Sequence, residues 1–264
     1  MVKQGVVQRI MTQERDATRE VITYLGETSL LADACSDLYD LLFDLIRKTD
    51  LPLDVHQLPA FMHCLQALRY ELIMGTMIMF RGHVTDSARY SRRAIEVAAF
   101  AVEIFKDKDS ANLWLSMGTS SRAMDRYRSR FPAHKIVEKH ESTLGKQIYE
   151  LYASYCLWVH PSFGSLVNQT SFSSDRGHQF HYFEIGSEHQ MNYLAMQFFI
   201  LLDTHVRILL AIAELVRQFD GFDYGVWVES SSAFTRWAAS LRANWKEAAD
   251  QFLQREQVHN RALR

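Results

Sequence analysis

Four prolines and eleven glycines in 264 residues are too few turn formers to punctuate a many-stranded sandwich or barrel, so the chain has to be built from long uninterrupted helices. Cysteine is scarcer: Cys35, Cys64 and Cys156 are odd in number, far apart and set in apolar helical runs. That pattern excludes a disulfide framework and a clustered zinc site, and reads as buried thiols of a cytoplasmic protein. No long hydrophobic run is clean. The most apolar, residues 193–216, is interrupted by Asp203, His205 and Arg207, which makes it a bundle helix and not a membrane span. The first twenty residues lack the apolar core and cleavage site of a secretion signal, so the Asn168-Gln-Thr170 sequon carries little weight. A net charge of −2 excludes a generally cationic, nucleic-acid-coating surface but leaves room for a local basic groove.

Chemical signatures are also missing. There is no His-Glu-x-x-His, Gly-x-Ser-x-Gly, phosphate-cradling glycine loop, dinucleotide fingerprint or DNA-binding motif. Ferritin-like metal sites need paired Glu-x-x-His repeats, and here the one instance, Glu256 to His259, lies in a polar tail. Neither a metal nor a cofactor is expected.

What is present is helical periodicity. The pattern predicts a polar helix over residues 6–24, then one from Thr28 or Ser29. The latter has Leu31, Ala34, Leu38, Leu41, Leu42 and Leu45 on one stripe and Asp33, Asp37, Asp40 and Asp44 outside it as a solvated row. Pro52 closes that helix. A third helix is predicted over residues 58–80; from Leu68 to Phe80 it is apolar on nearly every side, which makes it central to the bundle, with Met74, Met77 and Met79 as core filler. Gly82 breaks the chain before a helix over residues 85–105. A short helix near 113–117 follows, and residues 120–132, rich in Arg and Ser, read as partly irregular. Further helices are predicted over 135–159, 188–219 and 230–257. Residues 161–187 differ in texture and read as a long loop, with a hairpin across Ser171 to Ile185. The expectation is an all-α fold: one domain over residues 1–264, a multi-helix bundle of long antiparallel helices with a core at 28–219 and one loop or hairpin insertion. Phe234, Trp237, Leu241, Trp245, Ala248 and Phe252 form a stripe on the last helix that something must cover.

Residues 80–105 concentrate the potential chemistry. Arg89, Arg92, Arg93 and Glu96 lie along one side of the helix, beside the apolar stripe of Ile95, Ala98, Ala99, Val102 and Phe105. Guanidinium forks there suit a phosphate or carboxylate; the plainer reading is intrahelical pairing to Glu96. Tyr155 and His160 end the 135–159 helix next to Pro161. His160 is either an acid–base group partnered by this face or a histidine capping its own helix. Arg176, His178, His181, Tyr182 and Glu184 mix aromatic and basic character that suits single-stranded nucleic acid, or simply packs over a neighbouring helix.

Three features together, Arg81-Gly82 before a helix, Arg89-x-x-x-Arg93-x-x-Glu96, and Tyr155-x-x-x-x-His160-Pro161-Ser162, resemble the HEPN-like helical superfamily over residues 65–162. The resemblance implies an α-helical bundle, often a homodimer, in bacterial stress response or defence against phage. Active members cut RNA with Arg-x(4–6)-His. Here His160 has Tyr155 and Ser154 at that spacing and no arginine, while Arg128/His134 and Arg176/His181 have the spacing in other contexts. The leading expectation is a non-catalytic, self-associating binding protein that takes RNA or another anionic ligand, with a polar groove made by Arg89, Arg92, Glu96 and Tyr155. The alternative is a metal-independent endoribonuclease using Arg93 with His160, or Arg176 with His181.

Overall fold

In the computed structural model, residues 5–117, 119–159, 170–173, 177–180 and 188–245 are described. The fold is all-α. Helix α1 (Val6–Leu25) leads through a 3₁₀ turn (Gly26–Leu30) into α2 (Leu31–Arg47). Then follow α3 (Gln57–Phe80), α4 (Val84–Lys106), the short α5 (Lys108–Ser116), α6 (Ser121–Arg130), α7 (Ala133–Lys139) and α8 (Glu141–Leu144), and α9 (Lys146–Val159). A two-stranded hairpin, β1 (Thr170–Ser173) with β2 (Gly177–Phe180), pairs Thr170 with Phe180 and Ser173 with Gly177. The long α10 (Glu188–Val216) and α11 (Tyr224–Ala243) complete the order. One continuous apolar core runs from Val21 to Leu241.

Helix α2 forms as its periodicity demands. Leu31, Cys35, Leu38, Leu42 and Leu45 are buried, and the row Asp33, Asp37, Asp40 and Asp44 is exposed. Asp54 starts α3, its Oδ1 accepting the backbone N–H groups of His56 and Gln57 at 2.8 Å each. Pro59 sits in that helix's first turn, where no amide donor is needed. Gly82, at φ 86°, then folds α4 back on α3, and these two make the most extensive helix pairing in the molecule.

The centre of the bundle is α4 and not α3. From Ala94 to Ile104 every residue of α4 except Glu96 is buried, whereas α3 exposes Tyr70, Ile73 and Met77. Hydropathy misleads here: the alanines at 94, 98, 99 and 101 are only mildly apolar, but their size lets neighbours approach α4 from every side, while the bulkier run of α3 is left half outside. Of the three methionines expected in the core, only Met79 is fully buried.

Three local expectations are corrected. Residues 121–130 are helical, because Ser120 caps them, its Oγ accepting the Ala123 N–H at 3.1 Å. The helix expected over 135–159 is three pieces, α7, α8 and α9, divided at His140 and at Gly145, whose φ of 94° no helix tolerates. The last helix begins at Tyr224, six residues early, with Asp223 as its cap at 3.0 Å from the Val226 N–H. Its stripe is covered by the start of the chain: Trp237 Nε1 donates to Glu27 (3.2 Å) and Trp245 Nε1 to Thr28 (3.3 Å). Ala248 and Phe252 lie outside the described residues.

Past α10 the chain crosses the end of α2 at close range, with Asp50 N–H donating to Asp220 C=O at 2.9 Å. Gly221 stands at the crossing with φ 88°, and a Cβ there would lie 2.4 Å from the Lys48 carbonyl oxygen. Gly221→Ala is therefore expected to cost roughly 1–3 kcal/mol and lower Tm by about 3–10 °C. Gly145→Ala, also at positive φ but facing open space, should cost less. Thermal melts of the two variants check the order.

Candidate functional site

The arginine face of α4 is built against α3 and α9. Arg89 is mostly exposed and meets Asp86 one turn back at 3.4 Å. Arg92 turns inward: its Nε lies 3.0 Å from Glu96 Oε1. Tyr152 of α9 donates to the same carboxylate oxygen at 3.3 Å, and the Arg92 guanidinium stands 5.9 Å from the centre of the Tyr152 ring. Burial opposes the charge on Arg92, but Glu96 outweighs it and the net shift of its pKa is upward. Burial, with Glu96 and Cys156 adding to it, pushes the Tyr152 phenol up.

Arg93 leaves its own helix for its partner. Its Nε is 3.1 Å from Glu71 Oε1 on α3, a carboxylate 1% exposed, while Glu71 Oε2 has no hydrogen-bond partner among the described residues. Burial raises the Glu71 pKa and nearby Glu96 adds to that, against the opposing pull of Arg93. Tyr155, expected beside the arginines as a ligand contact, is in the core: its hydroxyl meets Thr204 Oγ1 of α10 at 3.0 Å and is also bonded by Ser91. The tyrosine that joins the arginine face is Tyr152, a turn earlier. Of the expected residues, then, the structure brings Arg92 and Glu96 together, pairs Arg89 and Arg93 separately, and turns Tyr155 away. His160, Arg176 and His181 lie outside the described residues. Arg128 and His134 are both exposed, near the ends of α6 and α7.

A second polar cluster was not expected at all. Glu103, 1% exposed in the enclosed part of α4, accepts from Lys139 Nζ (2.6 Å), His140 Nε2 (2.7 Å), Ser110 Oγ (3.2 Å) and Arg130 Nη2 (3.4 Å). Asp107, next along, takes Ser110 Oγ at 2.7 Å and Arg130 at 3.0 Å. Burial alone would raise the Glu103 pKa; the bonds from Lys139 and His140 outweigh it and hold the carboxyl below its usual range. Burial likewise drives the His140 pKa down, with Glu103 opposing. A neutral His140 donating to a carboxylate is the arrangement these directions describe. The cluster clamps α5, α6 and α7 onto α4. The one signal for it in the sequence is an acid inside an apolar run, Val102-Glu103-Ile104.

Among the described residues no three His, Cys, Asp or Glu side chains are grouped to hold a metal ion, and no helix is long and apolar enough to cross a membrane. A groove of about 650 Å³ opens between α1 and the C-terminal end of α3. No protein-family model, curated protein or solved structure matches the chain.

Two experiments test the electrostatics. Glu103→Ala should cost about 3 kcal/mol or more and lower Tm by roughly 6–12 °C, because it leaves the clamp's donors without their acceptor; Glu103→Gln should recover part of the loss. The second concerns pH. His205, fully buried with Nδ1 2.8 Å from the Tyr39 hydroxyl, has its pKa driven down to about 3 by burial. Its folded pKa is depressed, so below the unfolded value near 6.5 the unfolded chain binds a proton that the native state refuses, and stability falls with pH over that window. His140 and Glu103, both depressed, act in the same direction; Glu71, raised, acts in the opposite one. Between pH 7 and pH 5 the His205 contribution amounts to roughly 2 kcal/mol. The difference between wild type and His205→Gln in urea unfolding at the two pH values isolates it, and parallel loss in both proteins would refute the assignment.

Proposed function

We propose that this chain is a non-catalytic helical binding or interaction protein. The observation that carries this reading is the partnering of the arginines. A catalytic arginine in an RNA-cleaving helical protein must offer its guanidinium to a phosphate; here Arg93 is held by the buried Glu71 and Arg92 by Glu96 under Tyr152. Pulling Arg93 away would leave a buried carboxylate unpaired, at a cost on the order of 3–5 kcal/mol. A phosphate competing for Arg93 would lose about a hundred- to a thousandfold or more in affinity from that alone. Protonation of Glu71 would relieve the cost, and burial moves its pKa in that direction, but Arg93 itself opposes the move. Arg89, with only an exposed pairing to Asp86, is the guanidinium of this face most available to an anion.

The polar face of α4 thus supports a structural role more directly than a catalytic one. Self-association, RNA or another anionic ligand, and a place in stress response or phage defence belong to the same proposal as its finer parts; they rest on the sequence resemblance. The test is an RNA-degradation assay with single-stranded and hairpin substrates in the presence of a chelator, comparing wild type, Arg93→Ala and His160→Ala. All three are expected to leave the RNA intact. Cleavage by the wild type that either substitution abolishes would replace this reading with the endoribonuclease.

A further inference from the structure

The apolar stripe of helix α1 is wider than the bundle covers. Ala17, Val21 and Leu25 are buried against the bundle. Along the flank of that stripe Met11 is 64% and Ile22 43% exposed. These two, with Met77 and Phe80 of α3, supply the apolar surface of the groove of about 650 Å³. The groove opens onto more of the same on α3, where Tyr70, Ile73 and Met77 are all exposed at spacings i, i+3, i+7 that put them on one stripe. From Met11 to Ile22 is eleven residues, about 17 Å of helix or three turns.

The charges lining the groove are three arginines, Arg15, Arg19 and Arg81, and one carboxylate, Glu14, and Glu14 reaches His83 at 3.5 Å. Arg15 meets Asp16 at 3.7 Å between two exposed side chains, which is worth little. Arg19 and Arg81 make no ion pair among the described residues.

We infer that this groove is a docking site for an amphipathic helix of a protein partner, with a stripe of large apolar side chains flanked by Asp or Glu. The inference rests on the binding-protein reading and names the partner's chemistry. An apolar stripe set between two helices and exposed over three turns is the shape that a helix's i, i+3, i+4, i+7 anchors fill. Methionines adapt such a surface to its guest, and the surrounding guanidiniums select acidic flanks and steer the encounter. A membrane surface fits less well, because the apolar residues lie in a cleft between helices and not on one convex face.

The test uses a displayed library of sixteen-residue helices, with apolar and charged positions randomised, selected on the full-length chain and counter-selected on Met77→Glu. Helices with acidic flanks are expected to be enriched. Their affinity should fall at least tenfold on Met77→Glu and on the double variant Arg19→Glu, Arg81→Glu, and the charge-reversed double variant should recover basic-flanked helices instead. Met77 is exposed, and an unchanged thermal melt confirms that its substitution leaves the fold intact. Failure to enrich any helix, enrichment without charge preference, or binding indifferent to the variants overturns the inference. So does a concentration-dependent dimer that Met77→Glu dissolves, which would make a second copy the occupant, or binding to anionic vesicles that the selected helices do not displace. None of these results bears on RNA cleavage, so the groove can fail while the non-catalytic reading stands.

Discussion

Helix α4 is enclosed by other helices from Ala94 to Ile104, and an acid, Glu103, stands inside the enclosed stretch. A buried carboxylate without donors would cost far more than any single apolar contact supplies. The surrounding chain has to be arranged around it: α5 brings Ser110, α6 ends at Arg130, and α7 delivers Lys139 with His140 immediately after it. The break between α7 and α8 is where His140 stands, so the interruption of the helix and the donation of its ring to Glu103 coincide. The short helices between α4 and α9 are therefore specified as much by one buried charge as by the aromatic packing of Phe100, Trp114, Tyr127 and Phe131 beside it.

The same constraint governs the arginine face. Glu71 is as buried as Glu103 but far less well served, with one oxygen near Arg93 and the other without a partner among the described residues. The contrast appears in the pKa directions: Lys139 and His140 outweigh burial and hold Glu103 down, and a single guanidinium fails to offset burial at Glu71. Glu71 is the weakly satisfied group of the α3–α4 pairing, and Arg93 is not easily spared from it. What looks along one helix like a row of ligand-ready cations becomes, once the helices pack, two arginines paired to acids of the bundle, Arg92 to Glu96 and Arg93 to Glu71, and one, Arg89, paired only at the surface.

Much of the fold was legible because it depends on periodicity and stop signals. The α2 stripe and its acidic row, the break at Gly82 and the burial of the 193–216 run follow from spacing and from the cost of placing charge in a core. The pairing of Arg92 with Glu96 was legible for the same reason, being local at i, i+4. Arg93 with Glu71, and Glu103 with donors from three segments, were not, because such partners are chosen by packing. Ranking α3 above α4 for centrality failed on size: the four alanines from Ala94 to Ala101 lower hydropathy yet permit the closest approach. The helix expected over 135–159 is divided because Gly145 takes a positive φ that ends a helix, a conformation that apolar periodicity does not report.

The internal use of charge shifts where recognition can occur. A guanidinium already bonded to a buried acid presents little net field to a ligand, whereas Arg19 and Arg81 stand beside exposed apolar side chains with no such engagement among the described residues. Apolar surface is normally left outside when polar neighbours cannot cover it, and scattered single residues need no explanation. Met11, Ile22, Met77, Ile73 and Tyr70 are not scattered: the first three line one groove, and Ile73 and Tyr70 continue the stripe of Met77 along α3. Helix α1 contributes to the core through Ala17, Val21 and Leu25, with Tyr24 packed beside them, while Met11 and Ile22 are left exposed. On the reading proposed above another surface covers them, and recognition then belongs to the flank built by the first helix more than to the arginine row of α4.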